Sequence, residues 1–338
     1  MMKFSSKSPR RESADNEQGA LGPSPKTFRD ITVAVFRQPA GLVGFTVTVA
    51  IVLIAVLAPL VAPYSPIATD TSNILAGPSG HHLLGTDEIG RDVLSRLIFG
   101  ARPALIVGAL AALVGGSLGI ALGVIAGYRR GIAESIIMRA SDVVFAFPLV
   151  LIGIAAVLVL GAGVFSVGIA VGIGVAPMFA RLARAQVMTE VGLDHVKAAR
   201  GMGATGGWVV RRHILPNLAS VVVVQMAVTI SGSVVMASGL DFLGLGTQAP
   251  APSWGNMLEG SREYLADNPV YAISPGVMLT VFVLSVNLFG AALTNALKPQ
   301  LRTKILRSRG LLTRARSQGI APTNGVLELE TTAVREES

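Results

Sequence analysis

Long uncharged apolar stretches alternate with short polar and basic segments along this chain. A helix needs about 20 apolar residues to cross a bilayer core. The stretch 41–62 carries no charge and reads as a first span, and 103–128 reads as a second. The run 143–180 is also uncharged but too long for one helix. Gly161-Ala162-Gly163 lies near its middle, so it divides into spans at 140–160 and 164–181. A fifth span falls at 216–239 and a sixth at 274–295. The pattern predicts an all-α, polytopic membrane protein with about six transmembrane helices.

The segments between the spans set the domain plan. Residues 1–37 are rich in Ser, Pro and charge and read as a partly disordered leading segment. The first span begins too far in, and is too long, to be a cleaved signal peptide. Residues 38–300 form the permeating unit. Residues 301–338 are a basic and then polar tail, whose start suits anionic headgroups. Two sizeable loops, 63–101 and 241–273, lie on one side, and the loop 182–215 lies on the other. Thr86-Asp87-Glu88 followed by Ile89, Val93 and Leu97 predicts a short amphipathic helix on the outer surface before the second span.

Charge then orients the molecule. Of the 28 Lys and Arg, all but Arg91, Arg96, Arg102 and Arg262 fall on the side that holds both ends of the chain. The positive-inside rule puts that side, with both termini, in the cytoplasm of a multi-pass plasma-membrane protein. The net charge of +8 then needs no nucleic-acid partner; membrane lipid faces the spans. Only 14% of residues are charged, against about 25% in soluble domains. With no cysteine and four histidines there is no thiolate chemistry and no basis for a zinc site.

Candidate chemistry inside the spans is sparse. Gly115, Gly119, Gly123 and Gly127 recur every four residues and line one helix face, a pattern for close helix packing; Gly168, Gly172 and Ala176 form a weaker version. Arg139 and Asp142 are spaced to pair at the inner end of the third span. Ser117, Gln225 and Ser231 have no His or Asp partner, so no catalytic constellation forms and no enzyme activity is expected. The scarcity of buried acids argues against an ion-coupled carrier. Two matches to G-x-G-x-x-G/A, from Gly201 and from Gly244, lack the strand–turn–helix setting of a dinucleotide site. Gly-Lys never occurs, so the chain has no P-loop of its own.

The loop 182–215 is the most informative segment. Asp194 to Gly203 reads as a short helix, with Gly201 and Gly203 at its end. Pro216 suits the first turn of the next span and favours an extended Leu215. This helix–turn element offers a compact surface to a cytoplasmic partner. At these residues the chain resembles the permease subunits of binding-protein-dependent ABC importers. Their signature is Glu-Ala-Ala, three residues, Gly, and a later Leu-Pro. Here it stands as Lys197-Ala198-Ala199, Gly203 and Leu215-Pro216, with Lys197 in place of the usual Glu. The segment from His82 to Arg96, containing Asp87, Arg91 and Asp92, resembles an outer loop of the dipeptide/oligopeptide permease C-type subunit. So does Phe242-Leu243-Gly244-Leu245-Gly246 with the following Pro252 to Leu258, containing Trp254 and Asn256.

The resemblance implies a type I ABC importer permease fold and a set of partners. A sister permease would complete a heterodimer, two cytoplasmic ATPases would bind the Asp194–Gly203 element, and an extracytoplasmic solute-binding protein would meet the outer loops. ATP and magnesium would be bound by the ATPases, leaving this chain without a cofactor. The implied solutes are di- and oligopeptides; nickel or another small solute is the alternative within the class.

Overall fold

The computed structural model describes residues 28–297; the leading segment before them and the basic tail after them lie outside the described residues. The described chain is helical, with one isolated antiparallel bridge between Thr86 and Asp92. Helix α1 (Phe28–Phe36) leads into α2 (Pro39–Val56), whose entry is shaped by proline at its first position. A short turn, α3 (Ala58–Val61), follows the end of α2. Next come α4 (Val93–Arg129), α5 (Ile132–Ala146), α6 (Leu149–Leu160) and α7 (Val164–Val191). Short α8 (Asp194–Gly201) and α9 (Gly206–Val209) precede α10 (Leu215–Phe242). Helices α11 (Trp254–Ser261) and α12 (Pro269–Leu297) complete the molecule.

Among the described residues, five helices are long and apolar enough to cross a membrane, or six crossings when the bent pair α5–α6 is taken as one. The sequence pattern placed one helix over 140–160. Instead α5 and α6 meet at 90° across Phe147-Pro148. Pro148 has no N–H to continue the ladder, and its ring forces Phe147 out of helical geometry, at ψ 134. The surface helix expected from Thr86 is also absent. Gly85 and Gly90 have φ of 77 and 82, so the segment is a looped turn, and Asp92 starts a single 37-residue α4.

Packing depends on small residues. A Cβ added at Gly119 or Gly123 of α4 would strike the carbonyl oxygens of Ala176 or Ala180 in α7. One added at Gly115 would come within 2.6 Å of Val175, and one at Gly127 within 2.8 Å of Val187. Gly168 and Gly172 of α7 meet Leu110 and Val114 of α4 in return. The stripe therefore brings two long helices into backbone contact, where dispersion supplies the attraction that lipid does not. Gly44 of α2 approaches the backbone of α12 in the same way, and Thr48 shares a 3.0 Å hydrogen bond with Ser285. α10 meets α12 through Ser231, which donates to Asn287 at 3.1 Å.

Candidate coupling site

At the basic end of the bundle α7 runs straight into a tight helix–turn–helix connection. The ordered connector is shorter than the sequence suggested, because α7 continues to Val191. α8 is amphipathic. Val196 is fully buried with Val187, Val209 and Ile214, while Asp194, Lys197, Ala198 and Arg200 face outward. Ala199 is buried, and its methyl size lets α8 lie close to the bundle. The helix ends in a Schellman turn. Ala204 N–H donates to Ala199 O at 3.0 Å and Gly203 N–H to Arg200 O at 2.9 Å, with Gly203 at φ 87. Arg200 lies 4.8 Å over the Tyr128 ring, which ties the turn to the end of α4.

The return to α10 passes through one wide π turn, Val210–Ile214, in which Leu215 N–H reaches back to Val210 O. Leu215 is helical at φ −59 and ψ −42, not extended as its proline neighbour suggested. The widened turn admits Pro216 without breaking the helix, because the bonding pattern is already relaxed there. His213 sits between His195 and Trp208, with ring centroids 5.3 and 5.2 Å away. Leu193, Met202, Trp208 and Leu215 are exposed along the same connection as Lys197 and Arg200, giving it a mixed apolar and basic rim. Lys197 forms an exposed 3.2 Å ion pair with Asp194. Beneath this rim Glu190 is buried and accepts hydrogen bonds from Gln186 (3.2 Å) and Asn217 (2.9 Å).

At the opposite end the loops 63–92 and 243–268 form a cap. Asp87 is its hub. The carboxylate accepts from Arg91 Nε at 2.6 Å and from the backbone N–H of Arg91 and Ile89 at 2.8 and 3.1 Å, and Arg96 Nε lies 3.3 Å away. Glu88 accepts from Arg91 at 2.9 Å and from the Tyr271 hydroxyl of α12. Asp92 caps α4 through Ser95 N–H at 2.8 Å and pairs with His82 at 2.9 Å. Trp254 donates to Leu97 O at 3.0 Å, and Ser253 with Asn256 forms a capping box at the start of α11.

Two family descriptions match this chain. Residues 119–303 match the binding-protein-dependent transport system inner membrane component, and residues 27–78 match the N-terminal transmembrane domain of oligopeptide transport permease C. The dipeptide transport system permease protein DppC of Alkalihalophilus pseudofirmus is 35% identical over 289 residues, covering 86% of this chain and 94% of the relative. The glutathione transport system permease protein GsiD of Pectobacterium atrosepticum is 39% identical over 277 residues, covering 82% and 92%. The chain belongs to the inner-membrane component family of binding-protein-dependent transport systems. An inward-facing form of the MetNI methionine ABC transporter shares the fold at TM-score 0.50 and 19% identity, over 60% of this chain and 95% of the other. The permease is thus the non-catalytic, multi-pass membrane component of an ABC transporter, a class that works with ATPase and binding-protein partners.

Within the permease, Asp194, Lys197, Ala198, Ala199 and Gly201 lie in α8, Gly203 in the turn after it, and Leu215 and Pro216 in the first turn of α10. The outer-loop residues differ from expectation. Asp87, Arg91, Asp92 and Trp254 are all buried, at 0, 8, 2 and 1% exposure, so none of them presents a side chain to a binding protein. Asn256 is half-buried and spent on its capping box. These side chains shape the cap from within. The pairing of Asp142 with Arg139 is also corrected. Asp142 accepts from Arg181 of α7 at 2.8 Å, and Arg181 lies over Phe145. Glu190, Asn217 and Tyr128 were not singled out from the sequence. An acid eight residues before Ala198-Ala199 carries no signal until the fold brings Asn217 to it.

Proposed function

We propose that this permease forms half the wall of an ATP-driven import pathway for dipeptides and short oligopeptides in the plasma membrane. A sister permease supplies the other half. Two ATPases bind ATP and magnesium at the cytoplasmic side, where α8 docks into them, and both termini of the chain lie on that side. A solute-binding protein delivers peptide to the cap. The likeness to DppC and GsiD, over more than four fifths of this chain, carries the peptide reading. The exposed face of α8, held by its Schellman turn, supports the docking reading. A peptide brings charged termini and backbone groups that cost several kcal/mol to desolvate. It therefore needs a hydrated path between two such subunits. Lys197 sits on the rim with its own partner, so docking rests on shape and apolar contact rather than on an acid at that position.

A strain lacking this permease is expected to lose uptake of radiolabelled dialanine and to regain it with the full chain. Removal of Ala198-Ala199 leaves membrane insertion intact and abolishes uptake. Normal uptake by that variant would sink the docking reading. Equal dialanine uptake with and without the permease would sink the peptide reading and turn attention to nickel and other small solutes.

A further inference from the structure

Glu190 is a buried carboxylate with 6% exposure in the last turn of α7, four residues before α8 begins. Its partners are neutral amides: Gln186 of its own helix and Asn217 in the first turn of α10. No salt bridge reaches it among the described residues. Burial of a carboxylate on neutral partners is costly, and an apolar pair of similar volume packs as well or better. Around it the connection is held by the aliphatic contacts of Val187, Val196, Val209 and Ile214, by the ring contacts of His213 with His195 and Trp208, and by Arg200 over Tyr128, none of which joins α7 to α10 by a hydrogen bond. Aliphatic contacts resist separation but have no preferred direction, so helices joined by them alone can slide. The Glu190–Asn217 bond is directional, and it crosses from α7 to α10 immediately behind α8. The wide turn Val210–Ile214, a weak point in the helix leading to α10, lies beside it.

We infer that Glu190 is a positioning residue, a strut to Asn217 that makes α8 and the inner ends of α7 and α10 move as one body, so that displacement of α8 reaches the spans. This rests on the docking reading of α8 and not on the identity of the solute. The chain has no cysteine, so spin labels can be placed directly. The whole transporter, with its sister permease and ATPases, is reconstituted in nanodiscs with labels at Lys197→Cys in α8 and Val223→Cys on the exposed face of α10. ATP is then added with vanadate.

In the parent the label-to-label distance is expected to stay constant while the ATPases close. Asn217→Asp sets two carboxylates against each other and is expected to shift or widen that distance and to lower uptake per ATP hydrolysed about tenfold, with ATPase co-purification unchanged. Adding Glu190→Gln to Asn217→Asp restores an N–H to carboxylate bond and is expected to return both readouts to parental values. The apolar pair Glu190→Leu with Asn217→Leu keeps the packing, removes the direction, and is expected to behave like Asn217→Asp. A parental distance in Asn217→Asp or in the Leu pair overturns the strut, as does failure of Glu190→Gln to rescue. If α8 of the parent forms no crosslink to the ATPase, the docking reading falls, and this inference with it.

Discussion

Gly203 shows how much a single position can carry. Its φ of 87 is needed to turn the chain back after α8 and to satisfy the carbonyls of Ala199 and Arg200. Gly203→Ala places a Cβ in the left-handed region, at a cost of about 1–2 kcal/mol. It is expected to lower ATPase co-purification several-fold, whereas Gly203→Asn, which tolerates that region, loses less. Gly201 has a helical neighbourhood and open space around it, so its replacement by Ala is expected to be silent in the same assay. Lys197 lies at the other extreme. Its pair with Asp194 is well exposed, and such pairs contribute about 1 kcal/mol or less. Lys197→Glu is expected to leave the fold intact and to change ATPase co-purification by less than about fivefold. A complete loss of binding would show that the charge itself is read by the ATPase.

Among the elements, the contact of α4 with α7 tolerates little added bulk. Gly119 and Gly123 face backbone carbonyls that cannot move aside as a flexible side chain would. Gly119→Ala or Gly123→Ala must part the helices, and overpacking of this kind costs about 1–3 kcal/mol. Thermal unfolding in detergent is expected to fall for both. Gly232→Ala in α10, which meets nothing within 4 Å, is the matched control and is expected to unfold as the parent does. The glycine spacing was legible in the sequence, but its partner was not. Any of the other spans would satisfy a four-residue stripe, and only the fold selects α7. The break between α5 and α6 is hidden in the sequence for a related reason. The apolar run continues unbroken across Pro148, so hydropathy alone sees a single span.

In the whole molecule, the spans are joined at each end by a different device. The basic end is closed by α8 and its aliphatic anchor, and the cap is closed by buried charge. Asp87 holds Arg91 and approaches Arg96, Glu88 joins Arg91 to Tyr271 of α12, and Asn268 donates to Ala76 and Thr86 at 3.3 and 3.4 Å. Loops far apart in the chain thus become one body. Asp87→Asn leaves Arg96 without the carboxylate beside it and Arg91 with Glu88 alone, a loss of about 3–5 kcal/mol for a buried network. Limited proteolysis is expected to cleave the cap of this variant while the parent resists. Trp254→Phe loses the bond to Leu97 O and part of the buried indole's packing, together about 1–3 kcal/mol, less than the loss at Asp87, and is expected to keep the cap closed in the same assay.

The sequence by itself determined the membrane class, the approximate spans and the place of the short helix–turn segment around Ala198. Apolar runs, charge bias and the Ala198-Ala199 to Gly203 spacing are all properties of contiguous residues. The tertiary structure decided which polar groups turn inward. Asp87 and Trp254 read as exposed loop residues but are buried, and Glu190 gains its partner 27 positions later in the chain. Burial and hydrogen-bond pairing are set by what the packed helices bring together. Neither can be read from a segment on its own.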